Sequence, residues 1–285
     1  MDPKIGIIGG SGVYQLGGLA DPEWVTIATP WGPPSDAILT GVIHGTSMAF
    51  LPRHGRGHVH SPTSVPYRAN IDALKRLGCT DILAVSAVGS LRDDFKPGDF
   101  VLVDQYIDRT FARATSFFGP GCVAHVSLAS PTCARLGAAV TQAAGGLTLH
   151  PKATYLAMEG PQFSTRAESR LYRAWGADII GMTGMPEAKL AREAEMCYAA
   201  LAMVTDYDCW HPDHDAVDVA QVIATLTANA DNARKVVAAL PLQLPARLTC
   251  PCGCDRALTG AIMTATDKRD PELVARLATI AGRVL

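Results

Sequence analysis

The sequence predicts an α/β fold from three observations. Short apolar runs rich in Ile and Val recur between polar turns, stretches with 3.6-residue spacing lie among them, and the two kinds alternate along 285 residues. Strands are expected at KIGIIGG, EWVTIAT, DAILTGVI, SMAFLP, DILAVSAVG, FVLVDQYI, ATYLAM, DIIGMT and CYAALAMVTDYD. Helices are expected around Tyr67 to Leu77, Thr165 to Trp175, Pro186 to Glu195, Val217 to Leu240 and Pro271 to Val284. Two helix starts follow from side-chain chemistry. Thr165 with Glu168 makes a capping box, Ala167, Leu171 and Trp175 fall four apart, and Gly176 can take the left-handed conformation that stops the helix. Asp270 before Pro271 opens the last helix, with Leu273, Val274, Leu277 and Ile280 on one face. No repeat or low-complexity linker divides the chain, so residues 1–285 read as a single domain. The Pro- and Cys-rich stretch 241–254 is the one plausible boundary, setting 241–285 apart as a Cys-rich segment and terminal helix that serves as a flap or an oligomer contact.

Composition narrows the function. Hydrophobic residues make up 48% and charged residues 18%, which fits a compact fold rather than a disordered or membrane-spanning chain. With 25 basic against 27 acidic residues the net charge is -2, so nothing draws the whole molecule to nucleic acid or a membrane, and any phosphate site must be local. The start, MDPKIGIIGG, has no basic leader and no apolar run near the ~18 residues of a membrane span, which reads as cytoplasmic. Cys79, Cys122, Cys133, Cys197 and Cys209 read as small buried hydrophobes in a reducing compartment. Cys250, Cys252 and Cys254 form a local CPCGC run with three sulfurs where zinc takes four, so plain thiols and no metal are expected.

The chemistry is expected in loops at strand ends, where open α/β sheets bind ligands. Gly6, Gly9, Gly10, Ser11 and Gly12 can admit an anion or simply turn; their spacing is neither a dinucleotide fingerprint nor a P-loop. PRHGRGH carries Arg53, His54, Arg56 and His58, donors suited to phosphate oxygens unless the loop is merely solvated. Ser86, Ala87, Val88, Gly89 and Ser90 follow DILAV as a loop of small residues that could complete a cradle. EGPQFSTRAE puts Glu159 at a strand end and turns Phe163 outward for stacking; the alternative is a core Phe163 and a capping Glu159. IGMTGMPEA brings Met182 and Thr183 to another strand end, Met for a flat ligand and Thr for an anion. In TDYDCWH, Asp206 and Asp208 lie two apart on an extended chain and point to one side, where each raises the other's pKa. A neutral member can donate to a ring nitrogen while an ionised one accepts from an exocyclic amine, the pattern adenine shows at N7 and N6; a turn cap is the alternative.

Taken in order, IGIIGGSG, RHGRGH, AVGSL, EGPQFSTRAES, GMTGMPEA and TDYDCWH resemble the purine nucleoside phosphorylase superfamily, in its 5'-methylthioadenosine branch, over roughly residues 4 to 230. The resemblance implies one domain with a twisted, barrel-like central mixed sheet flanked by helices, assembled as a homotrimer or homohexamer. It implies that Ser11, Arg53, His54, Ser86, Ala87 and Thr183 hold phosphate, a co-substrate, and that no cofactor is needed. Met182, Phe163, Val88 and Gly89 would line the ribose and base. Asp206, the proton donor to N7, and Asp208 would face the base. His125 would enter a neighbouring subunit's site near the 5' group, with Ser164, Val219 and Val222 shaping a 5' pocket whose valines suit methylthio better than hydroxyl. The products would be adenine and 5-methylthioribose 1-phosphate, for methionine and purine salvage; the alternative is a broader purine nucleoside phosphorylase acting on adenosine, inosine or methylthioinosine. Ser11 and Ser86 stand where many members have Thr, and Gly181 and Pro66 where Asn is frequent. Thermophilic members bridge C-terminal cysteines. Members acting on 6-oxo bases carry Asn where this chain has its Asp pair.

Overall fold

The computed structural model describes residues 3–10, 17–212 and 219–285. In chain order it contains β1 (Ile5–Gly9), β2 (Ala20–Val25), β3 (Ile38–Ile43), β4 (Thr46–Pro52), α1 (Tyr67–Arg76), β5 (Asp81–Ser90), β6 (Phe100–Val103), β7 (Gln105–Arg109) and α2 (Ala134–Ala143). There follow β8 (Leu149–His150), β9 (Thr154–Met158), α3 (Arg166–Ala174), β10 (Ile179–Gly181), α4 (Glu187–Glu193), β11 (Cys197–Asp206), α5 (Val219–Ala239) and α6 (Pro271–Ala281). The expected class is what is found: among the described residues eleven strands form one mixed sheet, with helices on both faces.

Alternation along the strands explains the layers. Ile5 and Ile7 face one core with Leu136 and Val140 of α2 and Val236 and Leu240 near the end of α5. Ile8 faces the other core with Ile71 of α1, Leu190 of α4 and Leu277 and Ile280 of α6. Strands covered on both sides read as continuous apolar runs, which is why β1, β5 and β11 were legible. Segment 241–285 joins both cores, through Leu244, Cys250 and Cys254 on one side and Leu258, Ala261 and Leu277 on the other. No described helix is long and apolar enough to cross a membrane.

The sheet branches at β5. Along its body β5 runs parallel to β1 and to β11, while its last residues pair antiparallel with β10, Ile179 opposite Ser90 and Ile180 opposite Gly89. β11 follows β5 to Val204 opposite Val88, then a bulge shifts the register so that Asp206 faces Gly89. Bulges of this kind re-aim side chains beside functional sites.

Several expectations are corrected. Ser86 to Ser90 is not a loop but the second half of β5, paired with Ala202, Met203 and Val204 of β11. FVLVDQYI divides at Asp104 into β6 and β7, and the EWVTIAT strand lies earlier, at Ala20–Val25. α2 was not expected. The capping box of α3 forms as read, but the face turned inward carries Ser169 and Tyr172, leaving Leu171 and Trp175 46% and 45% exposed. Val217 and the residues Ser11 and Gly12 lie outside the described residues.

Candidate active site

The C-terminal halves of β4, β5 and β11 and the turn after β10 bring two groups of side chains together. The first centres on Arg53, directly after β4, whose backbone N–H donates to Gly9 O at 3.0 Å. Its guanidinium is 3% exposed; Nε donates to Glu187 Oε1 at 2.5 Å, Nη2 to Glu187 Oε2 at 3.2 Å and to Ile8 O at 3.4 Å, and Nη1 to Val85 O at 3.0 Å. Four of five donors are thus internal, leaving one Nη1 hydrogen for an anion. Burial disfavours this cation, yet the Glu187 carboxylate more than offsets it and holds Arg53 charged. Tyr198 adds a hydroxyl to Glu187 Oε2 at 3.1 Å.

Beside Arg53, His54 is held neutral: burial, then the Arg53 charge, push its pKa down to about 4. Its Nδ1 lies 2.9 Å from the His60 carbonyl, which can only accept, so Nδ1 carries the proton and Nε2 is an acceptor. The ring stacks on His58 at 4.4 Å. This inverts the donor role expected of His54.

Tyr155 of β9, which sequence reasoning missed, is the hub of this group. Its hydroxyl accepts from the Thr183 N–H at 3.4 Å and interacts with the side chains of Thr183 and Ser86, beside the Arg53 charge. Burial pushes the phenol upward, keeping it a donor at neutral pH. Gly181 is the condition for this: a Cβ there would stand 2.1 Å from the Tyr155 hydroxyl oxygen, so tyrosine occupies the space an Asn at position 181 would fill. Thr183 is buried, while Ser86 and Ala87 are half-buried on β5.

The second group lies around Gly89. A Cβ on Gly89 would meet Asp206 Oδ1 at 2.9 Å and Asp208 Cβ at 3.4 Å, so the two acids converge on this glycine. They do so by a turn, not an extended chain: Asp208 has φ 51° and its N–H donates to Asp206 Oδ1 at 2.8 Å. The Thr205 hydroxyl donates to Asp206 Oδ2 at 2.8 Å and lies 3.2 Å from Val88 O. Both acids are pushed above the usual carboxylate range, chiefly by burial. Mutual repulsion, the expected cause, contributes only to Asp208, where the charge of Asp206 adds to burial against the pull of Ser169 and Ser164.

The remaining candidates surround these groups unevenly. Ser164 stands beside Asp208, its hydroxyl 3.7 Å from Met158 Sδ, and Cys209 Sγ lies 3.2 Å from its carbonyl. Met182 packs over Gly160, where a Cβ would be 2.5 Å from the Met182 sulfur. Phe163 is 45% exposed, which removes the core alternative. Glu159 is neither a ligand-facing acid nor a helix cap. It is buried, accepting from Thr63 Oγ1 at 2.5 Å, Phe111 N at 2.7 Å, Ala112 N at 3.0 Å and Arg113 Nε at 2.9 Å. Burial alone would raise its pKa, but these donors hold it at about 2. Val219 is exposed and Val222 half-buried, one turn apart at the start of α5, which packs on β11 and β5. His125 stands on an exposed segment whose backbone is tied to Ala261 and Met263. A cavity of about 140 Å³ near Trp31 and Arg68 and another of about 410 Å³ near Lys75 and Arg283 lie away from both groups.

Comparison with known proteins places this geometry. The model of the phosphorylase superfamily matches residues 4–240. An S-methyl-5'-thioadenosine phosphorylase of Cereibacter sphaeroides is 67% identical, covering 100% of this chain and 99% of that protein. A methylthioadenosine phosphorylase crystal structure from an antarctic soil metagenomic library superposes with a TM-score of 0.89 at 49% identity, covering 98% of this chain and 99% of that one. A variant adenosine/methylthioadenosine phosphorylase of Schistosoma mansoni, in complex with methylthioadenosine, gives a TM-score of 0.78 at 37% identity over 84% of this chain and 91% of that one.

Proposed function

The chain belongs to the phosphorylase superfamily, and from that membership we propose that it cleaves S-methyl-5'-thioadenosine with inorganic phosphate, giving adenine and 5-methylthioribose 1-phosphate. This is a pentosyl transfer serving methionine and purine salvage. The observation that carries the base assignment is the convergence of Asp206 and Asp208 on Gly89, three residues along β5 from Ser86, which itself meets Tyr155.

As the C1'–N9 bond breaks, negative charge grows on the base and positive charge on the sugar. Asp206, whose pKa burial raises, donates to N7 from its neutral form. Thr205 permits this, because its hydroxyl can turn to the Val88 carbonyl when Asp206 Oδ2 carries the proton. Asp208 accepts from the N6 amine, and a 6-oxo base would leave that carboxylate facing an acceptor. Phosphate lies across β5 against the hydroxyls of Ser86 and Thr183, the Ala87 backbone, the remaining Nη1 hydrogen of Arg53, and Ser11. Neutral His54 accepts a hydroxyl proton of hydrogenphosphate at Nε2. The anion stabilises the developing oxocarbenium ion and then attacks C1'; no step uses a metal or redox cofactor.

Phe163, Met182, Val88 and Gly89 line the ribose and base. Ser164, Val219 and Val222 shape the 5' pocket, completed by His125 of the partner subunit in a homotrimer or homohexamer. We infer a cytoplasmic location, since cysteines that form no disulfide suit a reducing compartment. A panel of kcat/KM values for methylthioadenosine, adenosine, methylthioinosine and inosine tests the pockets. Preference for methylthioadenosine supports them, and preference for the 6-oxo compounds contradicts the Asp206 and Asp208 roles while leaving phosphorolysis standing.

A further inference from the structure

We propose that Cys133, Cys197, Cys250 and Cys254 form a structural Zn²⁺ site that ties the C-terminal segment to the sheet. Their four Sγ atoms all lie within 4.8 Å of one another, with Cys133 to Cys250 at 3.7 Å and Cys197 to Cys250 at 3.4 Å. Zinc bound to four thiolates at ~2.3 Å sets tetrahedral edges of about 3.8 Å, so the sulfurs already stand near the corners of such a site. All four are free thiols no more than 1% exposed.

Three chain segments that share no sequence proximity build the cluster. Cys197 opens β11, and Cys133 is the N-cap of α2, its backbone N–H donating to Tyr198 O at 2.7 Å beside Cys197. Cys250 and Cys254 are returned to one side by a turn at Gly253, whose φ is 71° and whose N–H donates to Cys250 O at 2.9 Å. That turn leaves Cys252 exposed and outside the cluster. The CPCGC run therefore supplies two ligands, not three, and the local count that argued against a metal omitted the partners from β11 and α2.

The surroundings suit a dianionic centre. Arg247 Nη2 donates to Cys197 Sγ at 3.2 Å, Arg135 faces Cys197 and Cys133, and Arg192 lies toward Cys254. Asp81 pairs with both Arg135 and Arg247, and Asp255 meets Arg247 and the Cys250 N–H. Three arginines against two aspartates leave these surroundings net positive, which favours an anionic centre. Zinc entry releases four thiol protons and leaves a complex of charge minus two, with no oxidant involved. Four buried protein ligands leave no open position, which marks a structural site. Cys197 and Asp206 also stand at opposite ends of β11, roughly 30 Å apart at about 3.3 Å per residue, so the ion takes no part in the chemistry.

The test is metal analysis of the untagged, full-length protein with thiol titration and non-reducing mass measurement. We expect one zinc per chain, retained through dialysis against chelator and released only as four thiols are modified. Cys254→Ser should lose it and Cys252→Ser should keep it. If Cys254→Ser does not fold, cobalt exchanged into the wild-type protein still reports the site, through thiolate charge-transfer and tetrahedral ligand-field bands. A metal-free chain, whether its mass shows two bridges by the loss of two hydrogens each or its four thiols react freely, overturns the proposal, as does zinc held equally by Cys254→Ser.

Discussion

At the residue scale the central pair is Asp206 and Asp208, and their roles separate by substitution. Asp206→Asn keeps a hydrogen-bond donor but has no proton to transfer, so kcat should fall by about 10²- to 10⁴-fold with a smaller change in KM. Wild-type kcat should also decline as pH rises through the Asp206 pKa, which burial raises, because only the neutral acid donates; steady-state pH profiles of both proteins check this, and the variant should lack that limb. Asp208→Asn places an amide N–H where the N6 amine was accepted, so the ratio of inosine to adenosine turnover should rise, read from parallel assays. Tyr155→Phe removes a donor from the phosphate group and should raise the phosphate KM about 2- to 10-fold, the equivalent of one hydrogen bond of about 0.5–1.5 kcal/mol. The two aspartates were legible because two acids at the end of an apolar strand are unusual. Tyr155 and Glu187 were not, since a tyrosine inside a strand and a glutamate opening a helix look ordinary until the fold sets them against Ser86, Thr183 and Arg53.

At the element scale the readable features were those with local chemistry. The Thr165 and Glu168 capping box and the Asp270 cap of α6 form as the side chains dictate. α2 escaped notice because Gly137 sits inside it and no side chain caps it; Gly137 is there because Leu102 packs against its Cα, 3.2 Å from where a Cβ would lie. Ser86 to Ser90 read as a loop for its small residues, whereas small residues are what a strand needs where β11 and β10 both pair with its end. The loop after β9 is pinned by Glu159, whose folded pKa of about 2 lies below its ordinary value near 4.5. Its contribution is therefore complete above about pH 4.5 and is lost as pH falls toward 2. Urea midpoints between pH 6 and pH 3 should drop for the wild type, and less steeply for Glu159→Gln, which starts lower; equal slopes would contradict the assignment.

At the scale of the whole molecule, the alternation of strand and helix was enough to predict the class, but not the branch at Gly89 that creates the site. That branch depends on β10 pairing antiparallel with the end of β5 and on the bulge at Asp206, both long-range events without a local signature. The same limit hid the cysteine cluster, whose ligands span residues 133 to 254. What joins these features is one long strand, β11, with Cys197 of the proposed metal site at its start and Asp206 of the proposed base-binding pair at its end.

Phosphate as the attacking group is tested most directly by adenine release from S-methyl-5'-thioadenosine with inorganic phosphate present and rigorously removed. Turnover should saturate with phosphate, yield 5-methylthioribose 1-phosphate in equal amount to adenine, and vanish without the anion. Adenine released at the same rate without phosphate, with free methylthioribose as the other product, would contradict it and make water the nucleophile.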